Sequence, residues 1–477
     1  MKLFLVCCLV LVQLCTGTVF KFPEDGMKVT EPLQGGYFHY AQPMYSSENK
    51  GSNAFIAFEL EMHRSAEDGT TQFQPATVEV IVLESKSSYD IGLDSSDPDS
   101  IVCCTRERMA QNVPGCTQPN TLIVNSNPQS VWRKSINLPV SGESISFHEI
   151  YDIASSNFHQ VVISKCSPSS DNFVVTGSFE FKNAYGYLPG QLYAYLPFYT
   201  VMSFIYAVTV IGWIGWNVKQ SDELIPIHHV ITATLLISML GMVSWAFHYE
   251  VFNMFGTEQE AWKYLAIGLG SLRQTAFHLL MLCISSGLGI VSLVMGSEKK
   301  QIITLSSLYF AFKLIFDLVD DGSRGILDSS LAIAAVPYFL LEVVIYYKVC
   351  EFTKSLMGRL EERQQSSKTE LYNRVISLFM CGMFGIALIL LERVYLIHYE
   401  LLQNKWKLYW LVDSGLFEML GFAILCGVMF IFWPSSRAKL FIGADQLPME
   451  EEYGLELGQH TLGDEEDYEE EEDLIDQ

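Results

Sequence analysis

An uncharged run at residues 196–216 reads LPFYTVMSFIYAVTVIGWIGW. A helix crosses the hydrocarbon core of a bilayer in about 20 residues, so this run is long enough to span a membrane. Its lack of charge makes a buried helix of a soluble domain a poor alternative. Six further apolar runs follow it, at 230–247, 264–296, 302–319, 329–347, 371–397 and 408–433. The sequence therefore predicts a membrane protein whose seven-helix transmembrane domain covers residues 189–434.

Charge is unevenly distributed along the 477-residue chain, which has a formal net charge of -24. Fifteen Asp and Glu residues lie between 445 and 476, and no Lys or Arg follows Lys439. Like charges in a run repel one another, so residues 435–477 are predicted to form a disordered acidic tail. The sequence has no basic patch with interleaved aromatic residues, which excludes nucleic acid as a partner.

The N-terminal stretch MKLFLVCCLVLVQLCTGTVF has the pattern of a secretory signal peptide. We expect residues 1–17 to be this signal, cut after Gly17, with an additional anchor helix as the alternative. Cleavage would place the next domain in the lumen or outside the cell, and seven crossings would leave the C-terminus in the cytosol. Eleven Lys and Arg residues fall in the predicted cytosolic segments against four in the outer loops, in agreement with the positive-inside rule.

Residues 18–188 contain short runs in which apolar and polar side chains alternate, as in half-buried strands. The clearest runs lie at 54–62, 77–84, 159–165 and 173–181. Several short strands bounded by Gly, Pro, Ser and Asp predict a luminal antiparallel β-sandwich. The linker from this domain to the first helix is short, so we expect the sandwich to contact the outer helix ends.

Four cysteines lie in the predicted sandwich, namely Cys103, Cys104, Cys116 and Cys166. An even number of cysteines in an oxidising compartment predicts two disulfides. The adjacent residues Cys103 and Cys104 should not pair comfortably with each other. Each would then pair with either Cys116 or Cys166, and the sequence leaves both pairings open.

Ionisable residues within the predicted helices are the candidates for a functional site, because such residues are costly in lipid unless they are paired or hydrated. They concentrate in the outer halves and the middle of the helices, whereas the inner stretches 302–312, 375–391 and 419–433 carry no charge. This asymmetry predicts a polar, ligand-binding cavity that opens to the lumen. The alternative is that the charges only pair with one another and fix helix register, and both can hold together. The predicted cavity residues are Arg273, His278, Lys313, Asp317, Glu392, Arg393, Asp413 and Glu418.

Catalytic motifs are missing from the sequence. It contains no HExxH and no GxSxG on a helix, and the glycine-rich stretch at 268–274 lacks the lysine of a phosphate-binding loop. His228 and His229 are a weak metal signal, since adjacent side chains on a helix point about 100° apart. We therefore expect that the protein is not an enzyme and has neither a metal site nor a cofactor.

The tail contains one sorting signal of recognisable form. Glu470 lies four residues before the pair Leu474 and Ile475, which is the arrangement of an acidic dileucine motif. Such a peptide inserts its two apolar side chains into an adaptor pocket while the acid meets basic residues. This pattern predicts cytosolic sorting adaptors as partners of the tail.

The order of the parts and several stretches resemble the lung seven-transmembrane receptor family, also described as Golgi-localised GOLD-domain seven-helix proteins. The similar stretches are YGYLPGQLYAYLPFY at 185–199, FHYEVFN at 247–253, SSGLGIV at 285–291, LER at 391–393 and WKLYWLVDSGLFEMLGFAILCGVMFIFWPSS at 406–436.

This resemblance implies a GOLD-like β-sandwich, a seven-helix bundle with a lipid-accessible cavity, and a location in the Golgi apparatus, in endosomes or at the plasma membrane. We therefore expect a membrane-trafficking factor that binds luminal protein or lipid cargo at the sandwich and the cavity. Its partners would be membrane lipids, luminal cargo proteins and cytosolic adaptors. The alternatives are a G-protein-linked receptor and a regulator of a cation channel in the Golgi.

Overall fold

The computed structural model describes residues 19–23, 26–29, 37–46, 53–65, 76–85, 103–124, 130–139, 143–166, 172–288, 298–323, 329–398 and 406–434. The predicted signal peptide lies outside the described residues. So does the predicted acidic tail, including Glu470, Leu474 and Ile475.

The N-terminal domain is built from strands that pair only in antiparallel fashion. The strands are β1 (Val19–Lys21), β2 (Met27–Val29), β3 (Tyr37–Pro43), β4 (Phe55–Ser65), β5 (Ala76–Ser85), β6 (Cys103–Cys104), β7 (Thr121–Leu122), β8 (Ser130–Leu138), β9 (Ile145–Asp152), β10 (Phe158–Ser164) and β11 (Asn172–Lys182).

Two larger sheets form the sandwich in the described part of this domain, and β6 pairs with β7 in a separate two-stranded sheet. One has the order β1-β11-β4-β9, with β2 also paired to β11, and the other has the order β3-β10-β5-β8. Strands β4, β5, β10 and β11 match the four runs predicted from alternation. Strand β8 was not predicted, because its sequence SVWRKSINL mixes charged and apolar residues without a clean alternation, as befits the edge of a sheet.

The core of the sandwich follows from the alternation along β4 and β5. Ile56, Phe58, Leu60 and Met62 are buried along β4, and alternate valines of β5 join the same cluster. Burying a side chain of this size stabilises a fold by roughly 1.5–3 kcal/mol. The antiparallel β-sandwich predicted from the sequence is thus present.

The outer face of β5 is buried as well, because a segment between β5 and β8 covers it. Ile81 and Leu83 pack there against Cys103 and Leu122. The buried carboxylate of Glu79 accepts a hydrogen bond from the Leu122 amide at 2.8 Å. Burial on both faces explains why β5 reads as a nearly continuous apolar run.

Two disulfides hold this covering segment. Cys103 is bonded to Cys166, and Cys104 is bonded to Cys116. The prediction of two disulfides without a Cys103–Cys104 bond is confirmed, and the structure resolves the pairing that the sequence left open.

Seven helices among the described residues are long and apolar enough to cross a membrane, so the predicted seven-helix membrane protein is confirmed. The helices are numbered α1 to α7, and the five-residue helix Arg106–Ala110 is left unlabelled. The α-helices are α1 (Tyr195–Lys219), α2 (Pro226–Phe255), α3 (Glu260–Ser285), α4 (Glu298–Ser323), α5 (Ser329–Glu362), α6 (Ser366–His398) and α7 (Leu416–Ile431). The seventh span covers Trp406–Ile431, of which α7 is the C-terminal part.

Helix α3 is shorter than the predicted run 264–296, and a glycine explains why. Gly287 has a φ of 83°, in the left-handed region that ends many helices. The amide of Leu288 then donates to the carbonyl of Cys283. Such a glycine cap is invisible to a hydropathy window, since the residues on both sides of it are apolar.

The seventh apolar run is divided into turns of different pitch. A 3₁₀ turn at Trp406–Leu408 and a π-helical turn at Leu411–Gly415 precede α7. Single π-helical turns occur frequently at functional sites.

Two compact units divide the chain. The first comprises Met1–Phe198, Ala246–Glu260 and Leu388–Leu416, and the second comprises Tyr199–Trp245, Ala261–Ala387 and Phe417–Gln477. The first unit therefore contains the sandwich together with the ends of several helices, and the second contains most of the helical domain.

Glycines bring α6 and α7 together within the second unit. A methyl group added at Gly427 would lie 2.7 Å and 2.9 Å from the two terminal carbons of Leu378. Gly382 stands in the same relation to Ile424, with 2.7 Å to the nearest carbon. Small residues let helices approach closely in a membrane, where dispersion contacts drive association.

We predict that Gly427→Ala destabilises the helical domain by about 1–3 kcal/mol, the usual effect of overpacking a close contact. Both terminal carbons of Leu378 lie within 3.0 Å of the new methyl group, so the Leu378 side chain must leave its packed position to admit it. Thermal unfolding of the full-length protein in nanodiscs measures the effect. Gly421→Ala is the matched control on the same helix, since nothing lies within 4 Å of its added carbon. Equal unfolding temperatures for the two variants would contradict this packing.

A buried histidine, His159, and a half-buried one, His39, make the sandwich sensitive to acid. His159 is fully buried in β10, and its Nδ1 lies 3.1 Å from the Asn157 carbonyl oxygen. Burial lowers the pKa of His159, although the Asn157 carbonyl and Glu84 act in the opposite direction. Burial also lowers the pKa of His39, against a hydrogen bond with Gln160 that raises it.

We predict that the sandwich loses stability as the pH falls below 6.5, the ordinary histidine value. The unfolded chain binds protons there that the folded chain does not, so each histidine costs up to about 1.4 kcal/mol per pH unit. Hydrogen exchange in peptides from Phe158–Ser164 measures this loss. His159→Gln should reduce the pH dependence, whereas His148→Gln, at an exposed site, should preserve it. An unchanged slope in His159→Gln would refute the assignment.

Candidate functional site

A buried ion pair joins α3 to α7. The Arg273 guanidinium donates to Oε1 of Glu418, and the two side chains are 16% and 11% exposed. The buried ring of Tyr206 on α1 lies near both charges. A methyl group at Gly241 of α2 would lie 3.4 Å from Cδ of Arg273, so this part of α2 packs against the arginine. Two of the predicted site residues are thus brought together.

A second ion pair lies on α4, where Lys313 pairs with Asp317 one turn later. Asp317 also accepts a hydrogen bond from the Ser271 hydroxyl of α3 at 2.6 Å. The Lys313 ammonium lies 5.4 Å from the ring centre of Phe316 and 5.3 Å from that of Tyr338, within the range of cation–π attraction. The lysine charge is therefore compensated by a carboxylate and by two aromatic faces.

His278 of α3 forms the third polar contact, with a residue that was not among the predicted candidates. Its Nε2 lies 3.0 Å from Oε1 of Glu342 on α5. Sequence reasoning placed Glu342 within a predicted span but did not assign it to the site. Glu342 could have been predicted from a general rule, because an ionisable residue in a membrane helix needs a partner.

Asp413 is the centre of a separate polar cluster in the first unit. Its Oδ2 accepts a hydrogen bond from the Tyr195 hydroxyl at 2.6 Å, and its Oδ1 accepts one from Arg393 at 3.2 Å. Asp413 lies in the π-helical turn that precedes α7. Glu392 is exposed and is not brought into this cluster, because its neighbour Arg393 occupies the face toward Asp413.

An asparagine at the end of α2 fastens the linker in the same unit. The Asn253 side chain donates to the Tyr185 carbonyl at 3.1 Å and accepts from the Leu188 amide at 3.1 Å. Its own carbonyl accepts from the Tyr187 amide at 3.1 Å. A methyl group at Gly186 would lie 2.3 Å from the Asn253 side-chain oxygen, so only glycine allows this approach.

Asn183 and an aromatic cluster fix the sandwich to the same junction. Asn183 accepts from the Tyr45 amide at 2.8 Å and donates to the Leu188 carbonyl at 3.0 Å. The ring of Tyr45 packs edge-on against Trp406 at 4.9 Å, and the Lys407 ammonium lies over both rings. The expected contact between the sandwich and the helix ends is confirmed, although sequence reasoning did not single out the two asparagines.

Most of the predicted site residues are paired with another polar side chain in the structure. Such pairs are expected both for charges that fix helix register and for charges that line a cavity, so the lumen-open cavity stays a prediction. Within the part of the chain that the structure describes, no group of three His, Cys, Asp or Glu side chains is arranged to hold a metal ion.

These features define a class, the seven-helix membrane proteins with an N-terminal β-sandwich joined to the helix ends. Residues 194–439, about half of the chain, match the family described as GOST, seven transmembrane domain. The chain belongs to this family, which confirms the resemblance to the lung seven-transmembrane receptors.

The chain is similar to several known proteins at low identity. Transmembrane protein 87A of Xenopus tropicalis is 23% identical over 264 residues, covering 54% of this chain and 48% of that protein. Transmembrane protein 87B of Mus musculus is 21% identical, covering 60% of this chain and 51% of that protein. Membrane protein PTM1 of Saccharomyces cerevisiae is 22% identical over 90% of this chain and 84% of its own length. The chain thus spans about half the length of the vertebrate relatives that it matches.

We predict that Arg273→Gln destabilises the helical domain by about 3–5 kcal/mol, because it leaves the Glu418 carboxylate buried without its partner. The double variant Arg273→Gln/Glu418→Gln should recover most of that loss, since no uncompensated charge remains. Thermal unfolding in nanodiscs compares the two. Arg374→Gln is the control, because its ion pair with Glu370 is exposed. A double variant no more stable than Arg273→Gln would argue against this coupling.

Proposed function

We propose that the protein is a trafficking factor of Golgi and endosomal membranes that binds luminal protein or lipid cargo. The observation that carries the proposal is the first compact unit, which unites the sandwich with Ala246–Glu260 and Leu388–Leu416. A domain fastened in this way is suited to pass the binding of a cargo on to the helices of the membrane.

The junction supplies the physical link. Asn253 forms three hydrogen bonds that bind the end of α2 to Tyr185, Tyr187 and Leu188 of the linker, and Asn183 binds the linker to Tyr45 of the sandwich. A cargo that shifted the sandwich would have to move the end of α2 or break these bonds. Loss of a typical hydrogen bond costs about 1 kcal/mol, so the group of four resists separation.

The polar contacts of α3 give the helical domain the means to bind polar groups of a cargo. Arg273, Lys313 and Asp317 are held at fixed positions by partners, and preorganised charges bind ligands with little reordering. The tail would contribute sorting through Glu470, Leu474 and Ile475. Adaptors that bind this motif would return the protein and its cargo to the Golgi.

We predict that cells lacking this protein secrete a subset of luminal proteins slowly, and that Asn253→Ala restores their secretion only in part. Quantitative mass spectrometry of the medium after a short metabolic label measures the secretion. The wild type and Gln111→Ala, an exposed change on the sandwich, should restore it fully. Asn253→Ala removes the two side-chain hydrogen bonds to Tyr185 and Leu188 and keeps the backbone bond to Tyr187, without removing a charge or a core side chain.

Normal secretion in the absence of the protein would overturn the proposal. Full restoration by Asn253→Ala would instead show that the junction does not transmit cargo binding. Ligand-dependent nucleotide exchange on a G protein by the reconstituted chain would favour the receptor alternative.

A further inference from the structure

The first strand of the sandwich begins at the end of α2. The Val19 amide, at the start of β1, donates to the Gly256 carbonyl at 3.2 Å. Gly256 directly follows α2 and has a φ of 73°, in the left-handed region. A methyl group there would lie 2.9 Å from Cγ2 of Val19 and 3.0 Å from Cγ of Tyr187. Because only glycine leaves this room, β1 is packed directly against the helix end.

The end of α2 also has carbonyl groups without partners. The last four carbonyls of an α-helix find no donor within the helix. In α2, the carbonyls of Phe252 and Asn253 accept backbone amides. No described amide or side chain donates to the carbonyls of Met254 and Phe255. These two groups carry the partial negative charge with which a helix ends, so a cation beside them is favourable.

A carboxylate lies beside the same helix end. Val19 pairs with Glu180 of β11. A hydrogen bond between the Tyr187 hydroxyl and Glu180 raises the pKa of Tyr187 to about 12. Since the Tyr187 ring packs next to Gly256, Glu180 adds its negative charge to that of the helix end.

Val19 is also the second residue after the expected signal cleavage. A cut between Gly17 and Thr18 leaves Thr18 as the first residue, with a free α-amino group. Thr18 lies outside the described residues, but backbone bond lengths hold its nitrogen within about 3.7 Å of the Val19 nitrogen. Since the Val19 nitrogen lies 3.2 Å from the Gly256 oxygen, the amino group is within about 7 Å of that oxygen. An uncut chain has a neutral peptide group at this place.

We propose that signal cleavage between Gly17 and Thr18 completes the junction, because the Thr18 ammonium that it releases binds the carbonyl groups at the end of α2. A membrane-bound signal endopeptidase hydrolyses the peptide bond. The hydroxyl of the water goes to the Gly17 carbonyl carbon. The Thr18 nitrogen takes the remaining hydrogen and then the proton that the new carboxyl group releases. With an ordinary pKa of about 7.7–8.0, such an amino group is mostly charged at neutral pH.

The first test identifies the N-terminus. Mass spectrometry of the full-length protein purified from cells should find Thr18 as the first residue. A chain that keeps residues 1–17, or that begins at another residue, would overturn the proposal. This outcome is independent of the proposed cargo function.

The second test removes the charge from the mature protein in nanodiscs. Near pH 7 an acylating reagent modifies the α-amino group before the lysines, because its pKa is lower. Acetylation removes the positive charge, and reductive methylation at the same pH is the matched control that keeps it. Hydrogen exchange in peptides from residues 246–255 should be about two- to fivefold faster in the acetylated than in the methylated protein. Equal exchange in the two would show that the ammonium does not bind the helix end.

Discussion

Charge inside a membrane must be compensated, and α3 is the helix at which this constraint is met. It pairs Arg273 with α7, hydrogen-bonds Asp317 of α4 through Ser271 and contacts Glu342 of α5 through His278. It is also the most buried of the described spans. In its most apolar stretch 56% of the residues are buried inside the protein, against 11% for α5 and α6. Because each partner lies on a different helix, satisfying the polar groups of α3 also specifies which helices surround it. Glycine contacts between α6 and α7 then complete the packing without further charge.

The sandwich has to hold in place the segment that covers its β5 strand, and it also uses a hydrogen-bonded buried charge to do so. Its β5 strand is buried on both faces, so the segment that covers the outer face must be fixed in place. Glu79 does so by a hydrogen bond to the Leu122 amide, and two disulfides do so covalently. A buried carboxylate in an apolar strand is costly unless its oxygens are bonded, and here the amide and Arg133 supply the bonds. The sequence TVEVIVLE thus contains a core strand and the anchor of its cover in the same few residues.

Hydropathy and alternation predict the architecture well, because both report burial, and burial is what the sandwich and the membrane impose. They locate all seven helices and the four inner strands. They miss the edge strand β8, whose side chains are half solvated, and the end of α3, which depends on the conformation of Gly287. Partners are harder to predict than positions. The charges Arg273, Glu418, Arg393 and Asp413 were expected at the site, yet which of them pair depends on helix order around α3. Asn253 was not predicted as a junction residue, because an amide at a helix end has no distinctive pattern in the sequence. Its role follows only from its hydrogen bonds to the linker in the structure.

The bonding of Asn253 also concentrates the connection between α2 and the linker at a single residue. Its amide nitrogen, its amide oxygen and its own carbonyl each engage a different residue between Tyr185 and Leu188. Gly186 lies so close to it that a methyl group there would be 2.3 Å from the Asn253 side-chain oxygen. A rotation of this end of α2 would therefore strain all three bonds together, while the hydrogen bond from Asn183 to the Leu188 carbonyl would still hold the linker.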